Sequence, residues 1–184
     1  MYVHNSSEKN SSNRLATARL GALAYGSPMQ MHDSVTVHMK ATPEAIWALV
    51  SDVTKIGRYS PETLEAEWLD GATGPAVGAK FRGHVKRNGR GPMYWTKCVV
   101  TASEPGREFA FGVGAPGKPL NVWSYQLAAA GDGTDVTESF SLTPTALLRL
   151  YWTLLGWSRG KTNRRGMQQT LQRIKAEVEA STAA

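Results

Sequence analysis

The chain has 184 residues, of which 41% are hydrophobic and 20% charged, so it is long enough for one domain with a sizeable core. The longest apolar run, residues 146–157, is too short to cross a membrane and contains Arg149. A single cysteine, Cys98, excludes a disulfide framework within the chain, and the four histidines are too widely spread to form a zinc site with it. We therefore expect a soluble cytoplasmic protein with no metal or other cofactor.

Positive charge is unevenly distributed along the chain. The net charge is +6, and residues 79–97 and 149–175 contain many basic residues and no acidic ones, whereas residues 42–70 are acidic. A solvated outer face is the simpler interpretation of these segments. Nucleic acid or an anionic membrane is the alternative partner, although no nucleic-acid-binding motif accompanies the charge.

The first elements of the domain follow a polar N-terminal segment. Residues 1–31 are predicted to be a flexible extension that the domain does not need, which leaves residues 32–184 as the domain. The alternating, β-branched residues 34–39 predict a strand. Thr42-Pro43-Glu44 then predicts the start of a helix, with threonine as its cap and proline at its first position. A second short helix near residues 55–59 should end at Ser60-Pro61.

The remainder of the chain predicts a sheet followed by helix. Alternating patterns separated by glycine-rich turns predict six strands, at residues 64–70, 79–87, 92–103, 108–113, 121–129 and 135–142. Helical patterns follow at residues 145–156 and 159–180, and the second has its apolar residues on one face. The short connections predict an α+β fold in which six or seven antiparallel strands pack against the closing helix.

Several short segments occur in an order typical of one superfamily. They are TPEAIW at 42–47, SPE at 60–62, GAKFRG at 78–83, Trp95, EPGREFAF at 104–111 and GTDVTES at 133–139. Over residues 33–181 the chain resembles the Bet v 1/START-like helix-grip (SRPBCC) superfamily, in its polyketide cyclase/dehydrase-like bacterial branch. The resemblance implies a curved sheet around a long C-terminal helix, with an internal hydrophobic cavity for a small hydrophobic or amphipathic molecule. That branch has no universal catalytic motif, so the resemblance implies no catalytic residue.

Strand parity predicts which side chains face that cavity. The basic residues at 80, 82 and 86 share one face of their strand, so Phe81 and Val85 should point inward and His84 outward. His38 should likewise lie opposite the apolar face of the first strand. The predicted cavity is lined by Phe81, Trp95, Phe111, Trp123, Tyr125, Glu138, Met167 and Leu171, with the closing helix as its lid.

Glu138 is a carboxylate on an otherwise apolar face, between Val136 and Phe140. Such a group must form an ion pair, hold its proton or contact a ligand. A salt bridge to Arg164 or Arg165 of the closing helix is the simplest interpretation. The alternatives are a ligand-contacting or acid–base role, or a strand register different from the predicted one.

Residues 112–117 match the glycine pattern of dinucleotide-binding loops, G-x-G-x-x-G. That site requires a helix directly after the glycines, so that its backbone amides meet the phosphates. Pro116 and Pro119 prevent a helix here, and a strand follows. We therefore predict a hairpin loop and no nucleotide.

Three classes of function are compatible with these observations. The first is a binding protein for a lipid or polyketide-like molecule, without a catalytic constellation. The second is a polyketide cyclase or dehydratase-type enzyme, for which Glu138 and Tyr125 are the candidate acid–base residues. The third is an interaction protein, similar to the ribosome-associated toxin-like members of the superfamily, that uses its basic surface.

Overall fold

The structure is a computed structural model of the chain. It describes residues 32–89, 91–143 and 146–182, with residues 146–160 described by their backbone. The predicted extension at residues 1–31 lies outside the described residues.

Seven strands and three α-helices make up the described chain. In chain order they are β1 (His32–Met39), α1 (Pro43–Val50), α2 (Ile56–Tyr59), β2 (Thr63–Trp68), β3 (Lys80–Val85), β4 (Tyr94–Glu104), β5 (Glu108–Ala115), β6 (Lys118–Ala130), β7 (Gly133–Leu142) and α3 (Ala146–Thr182). Two single-turn 3₁₀ helices lie at Val53–Lys55 and Arg87–Gly89.

The strands form one antiparallel sheet in the order β1-β7-β6-β5-β4-β3-β2. Strands β2 to β7 follow one another as a meander, and the first strand pairs with the last. The sheet curls into a half-barrel, with the two short helices after β1 and the long helix α3 against its concave side. The predicted α+β helix-grip architecture is confirmed, with seven strands at the upper end of the expected number.

The start of α1 follows the predicted capping pattern. The Thr42 side chain accepts a hydrogen bond from the Ala45 backbone N–H at 3.3 Å, and Pro43 occupies the first helical turn. The helix then buries Ile46 and Val50 in the core. Local sequence preference and packing therefore agree at this position.

The predicted division of the C-terminal segment into two helices is wrong. A single helix of 37 residues, α3, continues through Gly156 and Gly160, where the break was predicted. A glycine inside a helix costs only about 1 kcal/mol relative to alanine, which is too little to end a helix of this length.

Contacts with β1 hold the C-terminal half of α3. Lys175 donates from Nζ to the backbone oxygen of His38 at 2.8 Å, and the backbone N–H of Lys40 donates to Glu179 Oε1 at 2.8 Å. Arg164 forms an ion pair with Asp33 near the beginning of β1. These polar contacts surround an apolar interface in which Leu171, Ile174 and Val178 of α3 are buried.

The basic residues of β3 lie on the outer face of the sheet, beside acidic residues of β2 and of the residues just after it. Three pairs connect the strands there: Lys80 with Asp70, Arg82 with Glu67, and His84 with Glu65. Two basic residues of segment 79–97, Lys80 and Arg82, are thus paired with acidic residues of segment 42–70. A negatively charged partner for the remaining basic residues stays a prediction.

Candidate functional site

A cavity of about 380 Å³ lies between the concave side of the sheet, the segment after α2 and residues 162–170 of α3. Most of its walls are aliphatic or aromatic. The residues that line it include Phe81, Val85, Arg87, Tyr94, Thr96, Cys98, Phe111, Val113, Leu120, Asn121, Trp123, Tyr125, Glu138, Phe140, Leu142, Asn163, Gly166, Met167 and Thr170.

Strands β6 and β7 form one wall through three directly opposed residue pairs. Tyr125 lies opposite Glu138, Trp123 opposite Phe140, and Asn121 opposite Leu142. All six side chains belong to the lining of the cavity, because alternate residues of each strand point to the same face. The predicted inward parity of both strands is therefore confirmed.

Glu138 is a carboxyl group in the wall of the cavity, and the described residues provide no counter-ion for it. The residue is 3% exposed, and the hydroxyl of Tyr125 donates a hydrogen bond to its Oε1 at 3.1 Å. Burial raises the pKa of Glu138 to about 8, although the hydrogen bond from Tyr125 opposes that shift. The carboxyl group is therefore mostly neutral at pH 7.

The same burial keeps the neighbouring phenols neutral. Burial raises the pKa of Tyr125 well above its ordinary value, and the nearby Glu138 carboxyl raises it further. Burial also raises the pKa of Tyr59, which is 1% exposed. Tyr59 belongs to the core and not to the lining of the cavity. Near neutral pH the cavity wall therefore holds the uncharged hydroxyl of Tyr125 and the mostly uncharged carboxyl group of Glu138, which can donate as well as accept hydrogen bonds.

The expected salt bridge of Glu138 is wrong. Arg164 points to the outside of the domain and pairs with Asp33, and Arg165 is exposed. Helix α3 presents Asn163, Met167 and other uncharged residues to the cavity in their place. The strand register was predicted correctly, and neither Arg164 nor Arg165 pairs with the buried carboxyl group.

Two buried side-chain oxygens have no hydrogen-bond partner among the described residues, and both belong to cavity-lining residues. They are Oε2 of Glu138 and Oδ1 of Asn121. Buried polar atoms are nearly always hydrogen-bonded in folded proteins, because an unmade bond costs the desolvation energy of the group. Their occurrence in one cavity is the property expected of a site that is completed by a ligand or by water.

The structure brings six of the eight predicted lining residues together. Phe81, Phe111, Trp123, Tyr125, Glu138 and Met167 line the cavity. Their role in binding a ligand stays a prediction.

Trp95 does not line the cavity, contrary to the prediction. It is 42% exposed and lies on the outer face of β4, where its ring stacks on His84 and lies beneath the guanidinium of Arg82. The alternation along β4 points Tyr94 and Thr96 inward instead. Lys97 shares the face of Trp95, and a lysine is rarely buried, so this signal indicates the outward position.

Leu171 does not line the cavity either. It is completely buried, but it lies in the core cluster with Ile174 and Val178, beyond the part of α3 that meets the cavity. The cavity contacts an earlier and more polar part of the helix, at Asn163, Gly166, Met167 and Thr170. The polar members of this set were not predicted, although their spacing of three and four residues is that of one helical face.

One end of the cavity reaches the surface where β3 joins β4 and β5 joins β6. Arg87, Tyr94 and Leu120 line this end and are exposed, Leu120 by 63%. The glycine-rich segment at residues 112–117 ends here in a tight hairpin, in which Ala115 pairs with Lys118. Gly117 has φ of +73°, which glycine adopts readily, and the predicted hairpin loop is confirmed.

Cys98, a thiol in the cavity wall, is not activated as a nucleophile. Burial raises the pKa of the Cys98 thiol to about 12, so the thiol stays protonated. Within the described part of the chain, no three His, Cys, Asp or Glu residues are arranged to hold a metal ion. No helix in the same residues combines the length and the apolar character needed to span a membrane.

Solved structures with the same fold include two of nearly equal length. A polyketide-cyclase-like protein from Corynebacterium glutamicum is 28% identical with a TM-score of 0.54, over 83% of this chain and 93% of that chain. A protein from Mycobacterium smegmatis is 17% identical with a TM-score of 0.59, over 83% of this chain and 93% of that chain. At the latter identity the similarity shows the fold alone.

A larger protein contains the fold as part of its chain. The di-domain ARO/CYC protein StfQ from the steffimycin biosynthetic pathway is 12% identical with a TM-score of 0.63, over 84% of this chain and 52% of that chain. This similarity also shows the fold alone. No match was found among curated proteins.

The family comparison covers almost the whole domain. Residues 31–179 match the family described as polyketide cyclase/dehydrase and lipid transport. This agrees with the resemblance inferred from the short sequence segments and with the helix-grip architecture. The chain therefore belongs to the polyketide cyclase/dehydrase and lipid-transport family.

Proposed function

We propose that the protein binds one small, mostly apolar molecule in the cavity and holds a polar oxygen of that molecule with Glu138. The cavity volume of about 380 Å³ lies at the lower end of the range for small-molecule sites. Aromatic walls formed by Phe81, Phe111 and Trp123 would provide the apolar contact area.

The unpartnered Oε2 of Glu138 is the observation that carries this proposal. Because Tyr125 donates to Oε1, the proton of the neutral carboxyl group belongs on Oε2. From there it can be donated to a carbonyl or hydroxyl oxygen of a ligand. Once the carboxyl group ionises, above its pKa of about 8, it can only accept hydrogen bonds, and a carbonyl oxygen would be repelled.

Prodan, an uncharged naphthalene ketone with solvent-sensitive fluorescence, is a suitable probe for this proposal. We expect its emission to shift to the blue when it binds, and its affinity to decrease as the pH rises past about 8. Glu138→Gln should remove this pH dependence, because the amide donates at every pH. The exposed Glu67→Gln should retain it. Equal pH dependence in the two variants would contradict the role of Glu138.

A pair of Val→Trp variants tests whether the cavity is the binding site. Val85 lines the cavity, whereas Val99 lies on the opposite face of the neighbouring strand. Val85→Trp should abolish prodan binding by filling the cavity, and Val99→Trp should leave it intact. Native mass spectrometry of the purified protein, followed by extraction of any retained molecule, would then identify the natural ligand.

A second candidate function is acid–base catalysis on a polyketide-like substrate, as in cyclisation or dehydration. The favouring observation is that the pKa of Glu138 is near neutrality, which suits a group that must both donate and accept a proton. A β-hydroxy ketone such as 4-hydroxy-4-phenylbutan-2-one is a direct test, because its loss of water gives an ultraviolet-absorbing enone. We expect Glu138→Gln to stop turnover while prodan binding remains. Loss of water at the rate of buffer alone would reject this candidate.

A further inference from the structure

The cavity has a second unpartnered oxygen at some distance from Glu138, namely Oδ1 of Asn121. We propose that the ligand is elongated and bifunctional, with an apolar body between two hydrogen-bonding groups, and that Asn121 binds the group nearest the cavity mouth. This inference rests on the proposed binding function and specifies the ligand class.

Strand geometry gives the distance between the two polar positions. Asn121 and Tyr125 lie four residues apart on one face of β6, and Glu138 is directly opposite Tyr125 on β7. At a rise of about 3.3 Å per residue, the two positions are about 13 Å apart along the strand. A molecule that reaches both must therefore be several bonds or rings long.

The residues between these positions are apolar. Trp123 and Phe140 are opposed between the two polar pairs, with their ring centroids 4.7 Å apart and their planes inclined by 51°. Both rings belong to the cavity wall. The middle of the ligand would contact this aromatic surface, where polar substituents would not increase the affinity.

The two oxygens differ in the group that they require. Oδ1 of an asparagine side chain only accepts hydrogen bonds, so the ligand must present a hydroxyl or N–H group to Asn121. The neutral carboxyl group of Glu138 donates, so a hydroxyl or carbonyl oxygen fits the other end. Leu120, next to Asn121, is exposed, which locates the Asn121 end near the mouth.

Linear α,ω-alkanediols of six to fourteen carbons, compared with 1-alkanols of the same lengths, are probes that separate the two polar positions. Binding is measured by isothermal titration calorimetry at pH 7. At the chain length that spans both positions we expect the diol to bind about 5- to 10-fold more tightly than the alkanol, the value of one additional hydrogen bond. The advantage should decrease for shorter and longer chains.

Asn121→Leu isolates the second polar position. The variant removes an unpartnered buried oxygen, so the fold should be retained, and it should abolish the advantage of the diol while leaving the alkanol affinity unchanged. Gln126→Leu is the matched control, because Gln126 is an exposed amide on the opposite face of β6. This control should behave as the wild type does.

The outcomes distinguish the two proposals. If neither diols nor alkanols bind, the proposed binding function is overturned and this inference with it. If alkanols bind but diols bind no better at any length, or if Asn121→Leu keeps the diol advantage, the bifunctional ligand is overturned while the binding function stands.

Discussion

The two faces of the sheet place the same type of side chain in opposite environments. On the outer face, Glu65 and Glu67 are exposed and pair with His84 and Arg82. On the inner face, Glu138 is buried, and its hydrogen bond comes from the uncharged Tyr125. Neighbouring residues of a strand face opposite sides of the sheet, so the position of a glutamate along its strand decides whether it lies on the surface or in the cavity wall.

This difference has consequences for stability as well as for binding. An exposed ion pair contributes little, because water solvates both charges and the side chains lose freedom when they pair. A buried carboxyl group without a counter-ion instead makes the stability depend on pH. Substitutions on the two faces should therefore change the free energy of unfolding by different amounts and with different pH dependence.

The largest expected effect is the pH dependence caused by Glu138. Its pKa is about 8 in the folded protein and has the ordinary value of 4.5 in the unfolded chain, so the folded state holds the proton longer. The free energy of unfolding should thus decrease as the pH rises from 4.5 to about 8, and then level off. We expect the decrease to be on the order of 5 kcal/mol, and Glu138→Gln to remove it.

Urea unfolding at a series of pH values measures this decrease. Glu67→Gln on the outer face is the control, and it should reproduce the wild-type dependence. A Glu138→Gln variant whose stability still decreases over the same range would show that another group is responsible.

The next effect concerns two adjacent residues of β3. Phe81 is 1% exposed and packs edge-to-face against Trp68 and Phe111, whereas Arg82 lies outside. Phe81→Ala should lower the free energy of unfolding by about 3 kcal/mol, because it enlarges the cavity and removes aromatic contacts. Arg82→Ala should cost less than about 1 kcal/mol. Denaturant midpoints at constant pH measure both, and similar losses would contradict the assignment of the two faces.

A smaller effect is expected for Tyr125→Phe. Removing the hydroxyl deprives Glu138 of its hydrogen bond, so the protein should lose about 1 kcal/mol at pH 5. The same change should raise the pKa of Glu138 further, which extends the pH-dependent decrease in stability to higher pH. Tyr94→Phe, at the exposed cavity mouth, should change neither quantity when both variants are unfolded in urea across this pH range.

The smallest effect lies at the outer edge of the sheet. Hydrogen bonds to Asp135 and Asp132 raise the pKa of His38, so its protonation stabilises the folded state below pH 6.5 and that contribution disappears as the pH rises past the raised pKa. Asp135→Asn should lower the pKa of His38 towards its ordinary value. A proton NMR titration of the imidazole measures this, with Asp70→Asn at the far edge as a control that leaves it unchanged.

The direction of side chains along a strand was predictable wherever charged residues occupied one face, because that face then lies on the outside of the sheet. The basic residues of β3 identified Phe81 and Val85 as inward, and the apolar neighbours of Glu138 identified it as buried. Applied to β4, the same rule would have placed Trp95 outside, because Trp95 shares its face of the strand with Lys97. Trp95 was placed in the cavity because it is large and aromatic, and that criterion was wrong. A tryptophan is also stable on an outer face, where Trp95 stacks on His84 and Arg82.

The partner of Glu138 could also have been found from the sequence. The turn between β6 and β7 has only two residues, Gly131 and Asp132, and a two-residue turn determines the register of its hairpin. Counting outwards from that turn places Tyr125 opposite Glu138. What counting cannot supply is the rotation of α3 about its axis, which directs Arg164 to Asp33 and away from the carboxyl group.

The pairing of β1 with β7 has a consequence for how the chain folds. Thr36 and Thr137, whose hydroxyl oxygens are 2.8 Å apart, are separated by 101 residues, whereas β2 to β7 pair with their neighbours in sequence. Closing so long a loop is entropically costly, and contacts of this kind slow folding. During synthesis β1 therefore leaves the ribosome first and finds its partner last. Until β7 emerges, β1 is an unpaired strand available to other chains, which makes this interval the one most exposed to aggregation.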